Sequence, residues 1–169
     1  SASMISPEED PERELRFYFH SVTPGFFDAL GIPVRGRTFS AADHQDAPNV
    51  AVVSEALAMR MWPDRDAIGR RLLLGSDTAL VVGVAGSVRY RDLTTSLMDP
   101  GEDPDVYFAY AQLPTGSFDI LLKTTAEPTA LTGGLRGIVT RLDAALPIYD
   151  VAAMPDVLAA QTALGRMVS

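Results

Sequence analysis

Apolar residues in this chain come in short runs, and a glycine or a proline closes almost every one of them. Phe26 to Leu30 stops at Gly31, Met61-Trp62 at Pro63, and Leu72 to Leu74 at Gly75. These two residue types end helices and strands and start turns, and here 13 glycines and 12 prolines are spread along the whole chain. The pattern predicts many short elements joined by turns, with no long disordered linker. No run nears the roughly 20 apolar residues that cross a bilayer as a helix. The 169 residues are 47% hydrophobic and 21% charged, enough apolar material for one or two small cores.

Periodicity then assigns the elements. Leu15, Phe17 and Phe19 alternate with Arg16, Tyr18 and His20, which predicts a half-buried strand over 15–21. Pro24 opens a short helix bearing Phe26, Phe27 and Leu30, and Gly31 with Pro33 ends it. Arg35-Gly36-Arg37 reads as a turn or bulge before Phe39. The β-branched run Val50 to Val53 predicts a strand. Ser54 can cap the helix that follows, Glu55 suits its positive end, and Leu57 and Met61 fall on one face. Arg70 to Leu74, a turn at Gly75-Ser76-Asp77 and the run Leu80 to Val88 predict two paired strands. Residues 92–105 are acidic and proline-containing, hence a surface loop, and 106–110 resume as a strand.

The last third reads as a βαβ unit: strand 118–124, helix 128–142 and strand 148–151, with a right-handed crossover. Leu131, Leu135, Ile138, Val139 and Leu142 form one helical stripe. Gly133, Gly134 and Gly137 each oppose that helix by about 1 kcal/mol relative to alanine, so packing must hold it. The expected fold class is α+β, in two lobes spanning 15–110 and 118–151.

Charge and chemistry exclude several function classes. The formal net charge is −8, and residues 1 to 14 carry −4 of it through Glu8, Glu9, Asp10, Glu12 and Glu14 against Arg13. A chain of this balance lacks the clustered cations that bind nucleic acid by displacing phosphate counterions. There is no cysteine, which removes disulfides, thiolate metal sites and cysteine nucleophiles. Gly83-Val84-Ala85-Gly86 lies inside an apolar strand run and lacks the lysine and helix start of a phosphate loop. His44 between Asp43 and Asp46 has metal-ligating residue types, but three polar residues in a turn before Pro48 read better as a solvated turn. His20 needs a carboxylate or serine brought to it by the fold, and on the polar face of a strand it reads as a surface histidine. Asp99, Glu102, Asp103 and Asp105 lack the spacing of a calcium loop. Trp62 before Pro63 reads as an anchor for a helix end rather than an exposed docking residue. Arg35 with Arg37, and Arg70 with Arg71, can receive an anion or an acidic partner, or can equally be solvated faces. Catalytic, cofactor-binding and metal residues are therefore none, no cofactor is expected, and the chain is expected not to be an enzyme.

An ordered set of phrases resembles the periplasmic core domain of MacB/FtsX-like ABC-transporter permeases, in particular the orphan-permease branch. It comprises Val22-Thr23-Pro24-Gly25-Phe26-Phe27 with Leu30-Gly31-Ile32-Pro33, Arg35-Gly36-Arg37 with Phe39 and Asp43, and Val50 to Ala58. It continues through Trp62-Pro63, Ile68-Gly69, Val81 to Val84, Val88-Arg89, Val106-Tyr107 and Leu142-Asp143 with Leu146-Pro147. Ser87 stands where relatives commonly carry an aspartate, and Ala109 where a proline is usual.

The resemblance implies a ferredoxin-type porter subdomain with a second, Sabre-like subdomain inserted, lying outside the membrane between two membrane helices. On that basis 1–13 are an acidic tail, 14–112 the Sabre-like insertion, 113–154 the C-terminal βαβ half of the porter, and 155–169 a helix leading toward the next membrane segment. The first porter half is absent, so the chain reads as a piece of a longer polypeptide. Such an open sheet is expected to self-associate by exchange of 118–151. The implied function is to couple motion driven by a cytoplasmic ATPase to an adaptor protein or exported substrate on the periplasmic side. The implied partners are the protein's own membrane helices and a nucleotide-binding subunit that hydrolyses ATP; nucleic acid is not among them. The alternative from another class is a small-molecule sensor or carrier domain, with its pocket between the two subdomains.

Overall fold

The structure, a computed structural model, describes residues 3–88 and 104–167. Among these the chain divides into two units, one ending at Leu121 and the other starting at Leu122. The first unit holds every described strand: β1 (Ser3–Pro7), β2 (Leu15–Val22), β3 (Val34–Gly36), β4 (Val50–Ser54), β5 (Arg71–Leu74), β6 (Asp77–Ala85) and β7 (Asp105–Ala109), with α1 (Phe26–Leu30) and α2 (Glu55–Met61). The sheet order is β3-β6-β4-β7-β2-β1-β5, and β5 also pairs with β6. That second pairing closes six strands into a ring, a small barrel. Leu80 pairs with Arg71 of β5 and with Val50 of β4, so β5 lies on the edge of β6 opposite β4, and β3 continues along the β5 edge.

The pleat decides which side chains fill the barrel. In paired strands opposite residues point the same way, which puts Ile5, Phe17, Ala51, Val53, Leu72, Ala79, Val81, Val106 and Phe108 in one interior cluster. The register slips between Ala51 and Val52, where β6 carries one extra residue opposite them, and Val84 regains the interior beyond the bulge. The α2 helix starts directly from β4. Ser54 caps it by accepting from Leu57 N at 3.2 Å, and Leu57, Met61 and Trp62 enter the same cluster and plug that end. The indole of Trp62 donates to Glu9 at 2.8 Å, so this side chain is the helix-end anchor its sequence context predicts.

Two features of this unit differ from the sequence reading. Residues 3–7, expected as part of an acidic tail, form β1: Ile5 is fully buried, and the strand bridges β2 and β5. Only Met4 and Ile5 mark it as apolar, too short a signal beside Glu8, Glu9 and Asp10. Arg35-Gly36, expected as a turn or bulge, lies in the short strand β3 against β6, with the backbone of Gly36 at φ 91°.

In the second unit a 3-10 turn at Pro128–Ala130 leads into α3 (Leu131–Leu142), as the periodicity predicts, and α4 (Met154–Met167) follows. The strands expected at 118–124 and 148–151 are not formed. Strand geometry needs a neighbour for its N–H and C=O groups, and among the described residues neither segment has one. Asp150 moreover adopts φ 53°, a left-handed conformation incompatible with a continuous strand. No residue from 122 to 160 is buried. No helix among the described residues is long and apolar enough to cross a membrane.

Candidate functional site

The parallel pairing of β2 and β7 sets His20 beside Tyr107 on the outer face of the barrel. The two rings stack with centroids 5.1 Å apart, and Phe27 of α1 meets Tyr107 edge-on at 5.0 Å. His20 Nε2 lies 2.9 Å from Asp105 Oδ1, with the Asp105 side chain 6% exposed and that of His20 27%. His20 is therefore not the solvated surface histidine its place on the polar face suggests; the fold supplies the carboxylate from 85 residues further on. Ser54 stands near the pair but accepts hydrogen bonds from the backbone N–H groups of Leu57 and Asp105, which makes its hydroxyl a structural link.

Several of the other candidate residues are engaged within the fold. Asp43 accepts from Nη1 and Nη2 of Arg37, each at 2.8 Å, and from the N–H of Ser40 at 2.8 Å. His44 Nδ1 accepts from Asp46 N, and no cluster of three metal-ligating side chains exists among the described residues. Arg35 pairs with Asp66 and Arg70 with Glu9. Ser87 accepts from Ala56 N at 3.1 Å and so helps cap α2. Gly83 lies within β6, where a Cβ would sit 2.5 Å from the Arg37 carbonyl oxygen. This spacing reflects strand packing and leaves no phosphate loop. Asp99, Glu102 and Asp103 lie outside the described residues; Asp105 belongs to β7.

Arg37 holds the Asp43 carboxyl below its ordinary value, with Ser40 assisting and burial opposing. A folded-state value below the unfolded one means that the pair contributes stability above the ordinary 3.8, and that the contribution disappears as pH falls through the lowered value. Asp43→Asn is expected to lose roughly 1–3 kcal/mol at neutral pH, since it weakens charged hydrogen bonds in a partly buried site. Its thermal midpoint should also fall less than the parent's between pH 5 and pH 2, a range set about the ordinary aspartate value. Parallel acid limbs in thermal melts would contradict this role.

At the far end of β4 from α2 the barrel is open. A cavity of about 670 Å³ lies there, lined by Phe17, Phe19, Phe108 and Ala79 among others, with Glu14 and Asp77 its charged members. Phe19 keeps the inward phase that its alternation with Phe17 predicts, yet is 46% exposed, because it faces this opening. Alternation gave its direction; closure of the barrel, a long-range event, decides what lies in front of it.

Several solved domains share this fold. The periplasmic region of MacB from Actinobacillus actinomycetemcomitans superposes with a TM-score of 0.60 at 14% identity, covering 84% of this chain and 63% of that one. A domain of a protein described as a permease from Porphyromonas gingivalis gives 0.53 at 15% identity, with 94% and 77% covered. The extracellular domain of the noncanonic ABC-type transporter YknZ from Gram-positive bacteria gives 0.50 at 16% identity, with 67% and 52% covered. The chain thus spans about 63% and 52% of the MacB and YknZ domains. No curated protein matches. The sequence model of the MacB-like periplasmic core domain matches residues 5–141. The chain belongs to that family, and is a periplasmic domain of the ABC-type transporter permeases.

Proposed function

We propose that this domain couples ATPase-driven motion of a permease to an adaptor protein or exported substrate outside the membrane, and that it performs no catalysis itself. The observation that carries the reading is the family match over 5–141, which runs through the barrel and most of α3. The engagement of His20, Asp43, Ser54 and four of the candidate arginine and carboxylate groups in internal bonds supports a mechanical part over a reactive one. In this reading the barrel is the Sabre-like inserted subdomain and the residues from Leu122 belong to the porter-like part. The α4 helix leads toward the next membrane segment, and ATP is hydrolysed by a separate nucleotide-binding domain or subunit.

The test uses the full-length permease with its ATPase in lipid nanodiscs and proteoliposomes. A variant that opens the barrel, such as Trp62→Ala, is expected to keep ATP hydrolysis while translocation of cargo, or stimulation by the adaptor, falls to background. Full coupling in a permease whose barrel is shown to be unfolded by limited proteolysis would overturn the proposal.

A further inference from the structure

We infer that the open mouth of the barrel is a binding site for a small amphipathic cation, its apolar body inside the barrel and its ammonium or amidinium group at the rim. The inference stands apart from transport coupling, and the site lies wholly within the barrel unit rather than between two subdomains. Its volume, about 670 Å³, falls within the range of small-molecule pockets, roughly 300–1,000 Å³. Phe17, Ala79 and Phe108 are buried at its base, while Phe19 and Leu113 remain open to solvent.

The charge of the ligand follows from the strand register. Asp77 pairs with Leu74 and stands two residues before Ala79, on the side of β6 that fills the barrel. Asp77 and Glu14 are both exposed at the mouth, where water hydrates their carboxylates and a cationic group can take the place of part of that water. Neither the Asp77 nor the Glu14 side chain has an ion-pair or hydrogen-bond partner among the described residues, and no basic residue is among those lining the cavity. Of the two neutral polar side chains in the lining, Asn49 and Gln112, the second is committed within the fold. Gln112 accepts from Val50 N at 3.1 Å and donates to Pro48 O at 3.0 Å, tying the rim together. Two free carboxylates over an apolar base complement a cation with a hydrophobic body and repel an anion of the same shape.

The experiment compares octyltrimethylammonium, octyl glucoside and octanesulfonate on the 169-residue chain, each below its micelle threshold, by calorimetry and amide chemical-shift mapping. An exposed carboxylate contributes up to about fivefold in affinity, so the cation is expected to bind about tenfold more tightly than the sulfonate. Shifts should centre on Phe19, Asp77 and Ala79. Glu14→Gln with Asp77→Asn should abolish the preference while retaining octyl binding. Leu113→Trp, at a solvent-open wall position, should weaken all three ligands. Equal affinities for cation and sulfonate, shifts centred elsewhere on the wild-type chain, or unchanged cation binding in a folded Leu113→Trp variant would each overturn the assignment.

Discussion

Trp62→Ala is expected to lose about 3–5 kcal/mol of stability, the usual cost of removing a large aromatic from a tight core. Trp62 is 4% exposed, caps the C-terminal end of α2 through a bond to Ala58 O, and shares the interior cluster with Leu57 and Met61. Its indole N–H meets Glu9, whose carboxylate also receives Arg70. Truncation therefore leaves both a void at the plugged end of the barrel and a tether lost between the segment after β1 and the helix. Urea unfolding checks the figure. A loss below about 1 kcal/mol, the scale of a surface change, would mean that α2 does not close the barrel.

Gly36→Ala should be nearly as damaging, by about 2–5 kcal/mol, because backbone strain and a steric clash act together. The residue sits at φ 91°, and an added Cβ would lie 2.6 Å from the Val82 carbonyl oxygen and 2.9 Å from Ile68 Cδ1. The carbonyl cannot withdraw freely, since it also accepts from Arg37 N at 3.0 Å. Gly75→Ala supplies the control. Its φ of 64° is equally left-handed, but nothing lies within 4 Å of the new atom, so only the conformational cost of about 1–2 kcal/mol applies. Equal losses in the two variants would show that the packing of β3 on β6 contributes nothing.

Local chemistry made much of this fold legible in the sequence. The alternation of Leu15 to His20, the Ser54 cap, the Gly31 stop and the turn at Gly75-Ser76-Asp77 each depend on a few neighbouring residues, and each is found where the pattern puts it. The misses are non-local. Nothing near His20 announces Asp105, because the contact arises only when β2 and β7 pair in parallel. The β1 strand carries two large apolar residues and becomes recognisable only as the bridge between β2 and β5. Conversely, Phe118 to Thr124 has strand-like composition, yet composition cannot provide the neighbouring strand that its backbone requires. The cavity was equally hidden: Phe19 and Asp77 lie 58 positions apart in the sequence and share a mouth because the ring closes.

The placement of this domain outside the membrane, with its motion driven from within, is the claim on which the account rests. The chain lacks cysteine, and Met59 is exposed on α2, so Met59→Cys in a full-length permease otherwise free of cysteine offers one reporter. A membrane-impermeant maleimide added to intact spheroplasts should label it, at a rate that changes when vanadate traps the ATPase. Protection until the cells are lysed would contradict the placement, and an identical labelling rate in both nucleotide states would contradict the coupling.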